Sequence, residues 1–259
     1  MDTTEKVPAI EITENNRKEV TDTVVREYSF SLFLGGKELV TLLCSPTGLD
    51  YLIAGYLFSQ EIIKSRDDII EITRDEGKGI AEVKIRAATI SSTSSAKKLL
   101  GSGGAREVRN YSGLINAIAP ISSPLKVPAS RIFDLVAEFI RKSELFKDTG
   151  GVHRAVICSL EGVTCFSDDI GRHNAVDRVI GECIMKNIPR EDKLLLTSGR
   201  ISSEILLKAA RAGIPIAISK SAVTDGAIKY ADKFGITLAG FVRGQKMMVY
   251  ATSSRIMAE

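Results

Sequence analysis

Apolar and polar residues alternate along "VVREYSFSLFLGGKELVTLL" (24–43), the period of two expected of strands that bury one face. The Gly35-Gly36 pair in its middle suits the positive φ angles of a tight hairpin turn. In "SPTGLDYLIAGYLFSQEII" (45–63) the spacing becomes helical, with Leu49, Leu52, Ile53, Tyr56 and Leu57 recurring on one face. Ser45 or Thr47 is the expected cap and Pro46 belongs near the first turn. "IIEITRDEGKGIAEVKIR" (69–86) returns to alternation and predicts a second hairpin, so these elements make a small α+β half. The first 20 or so residues are polar and are expected to fray.

Periodicity then weakens. Residues 87–128 are rich in Ser, Gly and Ala and hold three of the seven prolines, the composition of a functional loop or linker, and the domain boundary is expected there. From Ser130, "SRIFDLVAEFIRKSELF" predicts a helix. Strands "HRAVICSL" (153–160) and "VTCFSD" (163–168) follow, joined at Glu161-Gly162. Helices at 173–187, 202–213 and 224–234 then alternate with strands at 193–198, 214–219 and 236–242, before a last strand at 246–251. Short continuous apolar strands between amphipathic helices predict an α/β layer whose parallel central strands are buried on both faces.

In such a sheet, ligands bind beyond the carboxyl ends of the strands. Three loops qualify: "SDDIGRHN" (167–174), "TSGRISSE" (197–204) and "SKSAVTD" (219–225). Each brings hydroxyls or a glycine together with Arg172, Arg200 or Lys220, and each precedes a helix whose free N–H groups favour an anion. The residues assigned to this edge are Gly171, Arg172, His173 and Asn174, then Ser198, Gly199 and Arg200, and finally Ser221. Helix capping by Ser202 or Ser203, with Glu204 in the first turn, explains part of the pattern without a ligand. Asp168 and Asp169 likewise read as caps or solvated turn residues. Three cations converging on one sheet edge favour an anion or nucleotide site.

Composition narrows the chemistry. With 259 residues, 44% of them hydrophobic, the chain can bury a sizeable core. A net charge of +3, no tryptophan and 6% aromatic residues leave little for stacking single-stranded nucleic acid, so no nucleic-acid partner is expected. No segment approaches the ~18 consecutive apolar residues of a membrane helix, and the amino-terminal stretch has no signal-like apolar region. A cytoplasmic protein without a membrane partner is expected. Four separated cysteines without a C-x-x-C favour free thiols. Cys158, Cys165 and Cys183 fit core positions, whereas Cys44 lies before a helix N-terminus, where the dipole can lower a thiol pKa. A lone histidine is more often a structural residue than a ligand, which holds for His153 and His173 alike. Asp177, four residues after His173, is placed to orient its ring. "LGSGGAR" (100–106) lacks the Lys-Ser/Thr ending of a phosphate loop and reads as a turn.

Five stretches resemble the formate dehydrogenase accessory sulfurtransferase (FdhD/NarQ) family: "SPTGLDYLIAGYLFSQEIIKSRDDI", "ELFKDTGGVHRA", "DIGRHNAVDRVIG", "SGRISSEILLKAARAGIPI" and "FGITLAGFVRG". The resemblance runs from about Glu27 to Ala251. It implies an α/β fold, a cytidine-deaminase-like mixed sheet flanked by helices at 126–253, preceded by an α+β region at 22–125 with the Ser/Gly-rich loop. It further implies a cytoplasmic homodimer that takes sulfur from a cysteine desulfurase. That sulfur passes to the molybdenum bis(molybdopterin guanine dinucleotide) cofactor of formate dehydrogenase. The GDP-like ends of that cofactor suit the anion edge. The family's cofactor-contacting segment falls on Phe241, Val242, Arg243, Gly244, Gln245 and Lys246. The deaminase likeness is one of fold alone, because the H-x-E and P-C-x-x-C zinc ligands are missing, and no directly bound metal is expected. One departure matters: the family's sulfur-carrying cysteine aligns with Ser102, and a hydroxyl cannot form a persulfide. Cys44 is the substitute candidate. The alternative is a cofactor-binding chaperone or regulator without sulfur transfer.

Overall fold

The computed structural model describes residues 1–86 and 118–258, so Ser102 and the 100–106 turn lie outside the described residues. The opening residues are a correction. They form a long hairpin of β1 (Thr4–Thr13) and β2 (Asn16–Val25), paired in unbroken antiparallel register from Thr4↔Val25 to Thr13↔Asn16. Backbone pairing sustains it, since Ile10 and Ile12 are exposed and neither face carries a continuous apolar row.

The two expected hairpins follow as β3 (Tyr28–Leu34) with β4 (Lys37–Cys44), and β5 (Ile69–Asp75) with β6 (Ile80–Ile85). Parallel pairing of β3 with β6 joins them into one sheet of order β4-β3-β6-β5. Its buried Phe30, Leu32, Val40 and Leu42 pack on α1 (Leu49–Ser59). Neither Ser45 nor Thr47 caps this helix: Gly48 occupies the cap position in the left-handed region, at φ 54°.

The expected single helix from Ser130 is two, α2 (Ala129–Arg141) and α3 (Glu144–Thr149). Ser143 breaks them, because its Oγ accepts the Phe146 N–H at 2.9 Å and starts α3 afresh. A six-stranded sheet follows in the order β13-β12-β11-β10-β8-β9. Its strands are β8 (His153–Cys158), β9 (Val163–Asp169), β10 (Leu194–Thr197), β11 (Ile216–Ser219), β12 (Thr237–Arg243) and β13 (Lys246–Ala251). The central β10, β11 and β12 are parallel; β8 runs against both β9 and β10, so β9 points the same way as β10. Successive side chains alternate between faces. Ile157, Leu195, Ala217 and Leu238 meet α4 (Arg172–Met185), α5 (Ser203–Arg211) and α6 (Asp225–Phe234), whereas Val156, Leu194, Ile218 and Ala239 meet α2. A short parallel pair, β7 (Val127–Pro128) with β14 (Ile256–Met257), completes the described strands.

The two halves are joined where α1 crosses α4. A Cβ at Gly55 would lie 1.8 Å from the Asp177 carbonyl oxygen, and one at Gly181 would lie 1.9 Å from that of Tyr51, so only glycine permits this approach. Beside the crossing, Asp169 is fully buried and ion-paired at 2.7 Å to Arg178, which is 2% exposed. Its Oδ2 accepts Nε and Nη2 of Arg178 and the Ser45 N–H, and its Oδ1 accepts the Gly171 N–H and the Asn174 amide. Asp169 is therefore no solvated turn residue.

Asp169→Ala would leave Arg178 buried without its counter-charge, a loss of about 3–5 kcal/mol. Urea denaturation should show that destabilisation; a change below 1 kcal/mol, within the usual ~0–1 kcal/mol of a surface pair, would show that the pair is not the tie described.

Candidate functional site

The directions of β9, β10, β11 and β12 bring their carboxyl ends to one edge, together with the amino ends of the antiparallel β8 and β13. Hydrogen bonds stitch the loops there. The Ser198 N–H donates to the Arg154 carbonyl at 3.0 Å, and the Arg154 N–H donates to Ser198 Oγ at 2.9 Å. Ser219 Oγ donates to the Gly199 carbonyl at 2.7 Å, and the Phe241 N–H donates to the Ser221 carbonyl at 2.9 Å. These bonds shape an open cleft of about 470 Å³.

Of the residues expected at the edge, Ser198, Ser221 and Arg243 line this cleft, with Lys220 beside them. All three expected loops contribute, the first through Ile170. Gly199 is buried between the side chains of Arg172 and His153. Arg172 is half-buried, and its Nε has no hydrogen-bond partner. Arg200 is exposed, as are Gly244 and Gln245 in the turn between β12 and β13 and Lys246 at the start of β13. Phe241 is 42% exposed at φ 53°, a backbone strain that a bulky residue rarely tolerates away from a functional site.

Other expected residues point elsewhere. Asn174 is buried, and its amide donates to the Leu43 carbonyl at 2.8 Å as well as to Asp169, so it positions the loop from behind. Val242 is fully buried in the core beneath α2. Gly171 has φ −103°, ordinary extended backbone, so its turn does not depend on left-handed freedom. Asp177 does not orient His173: its carboxylate accepts from Ser59 Oγ at 2.7 Å and pairs with Lys208. His173 instead faces Glu204, with Nε2 3.4 Å from the carboxylate. Ser202 occupies the cap position of α5, but its Oγ caps nothing.

Cys44 is corrected as a reactive thiol. It is fully buried, and burial pushes its pKa up to about 12, with the nearby Arg178 cation pulling only partly the other way. Cys158, Cys165 and Cys183 are also buried, so none of the chain's four thiols reaches the cleft. Among the described residues no group of His, Cys, Asp and Glu is placed to hold a metal ion, and no helix is long and apolar enough to cross a membrane.

Sequence reasoning missed the far wall. Phe146, Gly150, Gly151, Val152 and Arg154 line the cleft from α3 and the start of β8. A rule that looks only at carboxyl ends passes over an antiparallel strand whose amino end reaches the same edge. Arg154 is 3% exposed; its Nη1 donates to the Ile140 carbonyl at 2.8 Å, while its Nε has no partner. Asp168 balances it in part. Burial raises that carboxyl's pKa, opposed by a hydrogen bond from Ser143 and by the Arg154 charge. His153 is held below the ordinary histidine range, first by burial and then by Arg172. The site is thus a cationic cleft that His153 also lines, with burial favouring the uncharged form of its imidazole.

A cationic cleft at the strand ends of an α/β sheet lies where open sheets of this class place their ligand sites. The comparisons make the class particular: a family profile described as the FdhD/NarQ family matches residues 25–257, and the chain belongs to that family. A sulfur carrier protein FdhD of Bacillus pumilus (strain SAFR-032) is 39% identical over 239 residues, 91% of each chain. The sulfur carrier protein FdhD of Bacillus subtilis (strain 168) is 38% identical over 240 residues, 92% of this chain and 91% of that one. Among solved structures, a putative formate dehydrogenase accessory protein from Desulfotalea psychrophila superposes with a TM-score of 0.82. At 24% identity it covers 99% of this chain and 100% of its own, which shows a shared fold.

His173 provides a test of the site's electrostatics. Burial lowers its pKa to about 3, helped by Lys208 and Arg172; the half-exposed Glu204 carboxylate is too well solvated to reverse this. Because the folded pKa lies below the unfolded one, the unfolded chain binds the extra proton between about pH 3 and 6.5, so this contribution to stability falls as pH drops through that window. Histidine NMR should show flat His173 ring shifts from pH 8 to 5; a midpoint near 6.5, the ordinary value, would contradict the assigned burial.

Proposed function

We propose that the chain is a formate dehydrogenase accessory protein of the sulfur-carrier type. Its substrate is the molybdenum bis(molybdopterin guanine dinucleotide) cofactor, which it holds by the guanosine diphosphate ends. The observation that carries this reading is the cleft, where Lys220, Arg243, Ser198 and Ser221 face one opening. Two of these groups are cations and two are hydroxyls, the donor set that a diphosphate takes, and Arg154 Nε adds a buried donor without a partner. A volume of about 470 Å³ suits one nucleotide end rather than the whole cofactor. A homodimer would offer one cleft to each of the two nucleotide ends. Formate dehydrogenase is the client of this reading, a cysteine desulfurase its sulfur donor and the cytoplasm its place.

A second reading, a cofactor chaperone or regulator that transfers no sulfur, is favoured by one observation. By the family resemblance the carrier cysteine aligns with Ser102, and all four cysteines of this chain are buried. A persulfide needs an accessible thiolate. The cleft is common to both readings; they differ only in whether a thiol of this chain accepts sulfur.

One preparation tests both points. Calorimetry with GDP should show binding that weakens roughly tenfold or more when Lys220 or Arg243 becomes alanine, the scale of a lost charge-assisted hydrogen bond; unchanged affinity in both variants removes the cleft from consideration. The same protein, incubated with a cysteine desulfurase and cysteine, should gain one sulfur atom by mass spectrometry if it is a carrier. No gain leaves the chaperone reading standing.

A further inference from the structure

The cleft wall is chemically divided. At the β10–β12 side are Ser198, Lys220, Ser221 and Arg243; at the side of α3, β8 and β9 stand the apolar Phe146, Val152 and Ile170, with His153 and Arg154 among them. A nucleotide is divided in the same way, into an anionic chain and a flat base. Resting on the reading of the cleft as a nucleotide site, we propose that Phe146, backed by Arg154, is the platform on which the guanine base stacks.

Three observations support it. Phe146 lines the cleft and leaves 37% of itself exposed, more than Val152 and Ile170, the other apolar side chains of the lining. The Arg154 guanidinium lies 4.1 Å from the Phe146 ring centroid, close enough for a cation–π contact that fixes the ring on one face. The residue is also pinned through its backbone: its N–H donates to Ser143 Oγ at 2.9 Å, and its carbonyl accepts the Gly150 N–H at 2.8 Å. An exposed ring held this firmly is prepared to stack at little entropic cost. Second, Arg154 itself points to a ligand. It lines the same cleft while 3% exposed, and its Nε is a buried donor with no protein partner. Third, Gly150 follows α3 along the cleft and faces open space, with nothing within 4 Å of where its Cβ would be.

Phe241 is the rival platform. It is exposed and strained, but it is absent from the lining of the cleft, and its N–H serves to hold the Ser221 loop. The structure therefore assigns the base to Phe146 and the diphosphate to the Lys220–Arg243 side.

The test compares two probes by displacement of a fluorescent GDP analogue: GDP, which has a base, and inorganic pyrophosphate, which has none. Phe146→Ala should weaken GDP at least about fivefold, the low end of base–aromatic stacking, and change pyrophosphate less than twofold. Phe146→Tyr should restore GDP affinity and Phe146→Leu should not, which separates an aromatic face from simple bulk. The proposal is overturned if GDP binding is unchanged in Phe146→Ala, if both probes weaken equally, or if Phe241→Ala and not Phe146→Ala shows the base-dependent loss. Failure of the unaltered chain to bind either probe would instead sink the nucleotide reading, and this inference with it.

Discussion

Everything at the cleft depends on the buried pair of Asp169 and Arg178. Two opposite charges removed from water cost more than most of their attraction returns unless every remaining lone pair is satisfied. Asp169 meets that demand with one ring of partners drawn from three places: Asn174 and Arg178 on α4, Gly171 just before it, and Ser45 beyond β4. Arg178 also donates to the Ser45 carbonyl at 2.6 Å. The amino-terminal half is thereby bonded to the loop that forms one wall of the cleft, and the glycine-to-glycine approach of α1 and α4 brings the two halves close enough for it.

The strand geometry next to this pair explains how two adjacent carboxylates take different parts. Successive residues of a strand point to opposite faces. Asp169 turns to Arg178, while Asp168 accepts from Ser143 Oγ at 2.8 Å and sits across β8 from Arg154. Ser143 also starts α3, the helix that carries Phe146. One end of β9 thus anchors the halves of the molecule and positions the far wall of the cleft. The cations of the near wall, Lys220 and Arg243, are left without a paired carboxylate among the described contacts and face the opening.

Much of this was legible in the sequence. The hairpins, the alternating strands and helices, and the three loops at one sheet edge follow from hydrophobic period and turn residues. Features set by distant contacts were not. The polar first 25 residues pair through backbone, which has no hydrophobic signature. Helical spacing runs through Ser143, although its side chain starts a new helix. Arg178 and Asp177 look like solvated helix charges, yet both are buried against partners more than 100 residues away. Cys44 has the local surroundings of an activated thiol; only the packed sheet shows that burial outweighs them. Arg154 escaped notice because β8 reaches the cleft by its amino end, and Phe146 because the helix before β8 is not one that follows a strand's carboxyl end.

The central claim is that the strand ends of the six-stranded sheet, organised by Asp169, hold a nucleotide diphosphate. A crystal structure of the protein with GDP tests it most directly. The account predicts the diphosphate within hydrogen-bond distance of Lys220 and Arg243, between Ser198 and Ser221. GDP seated instead in the separate recess of about 380 Å³ lined by Lys64, Arg66 and Arg190 would contradict it.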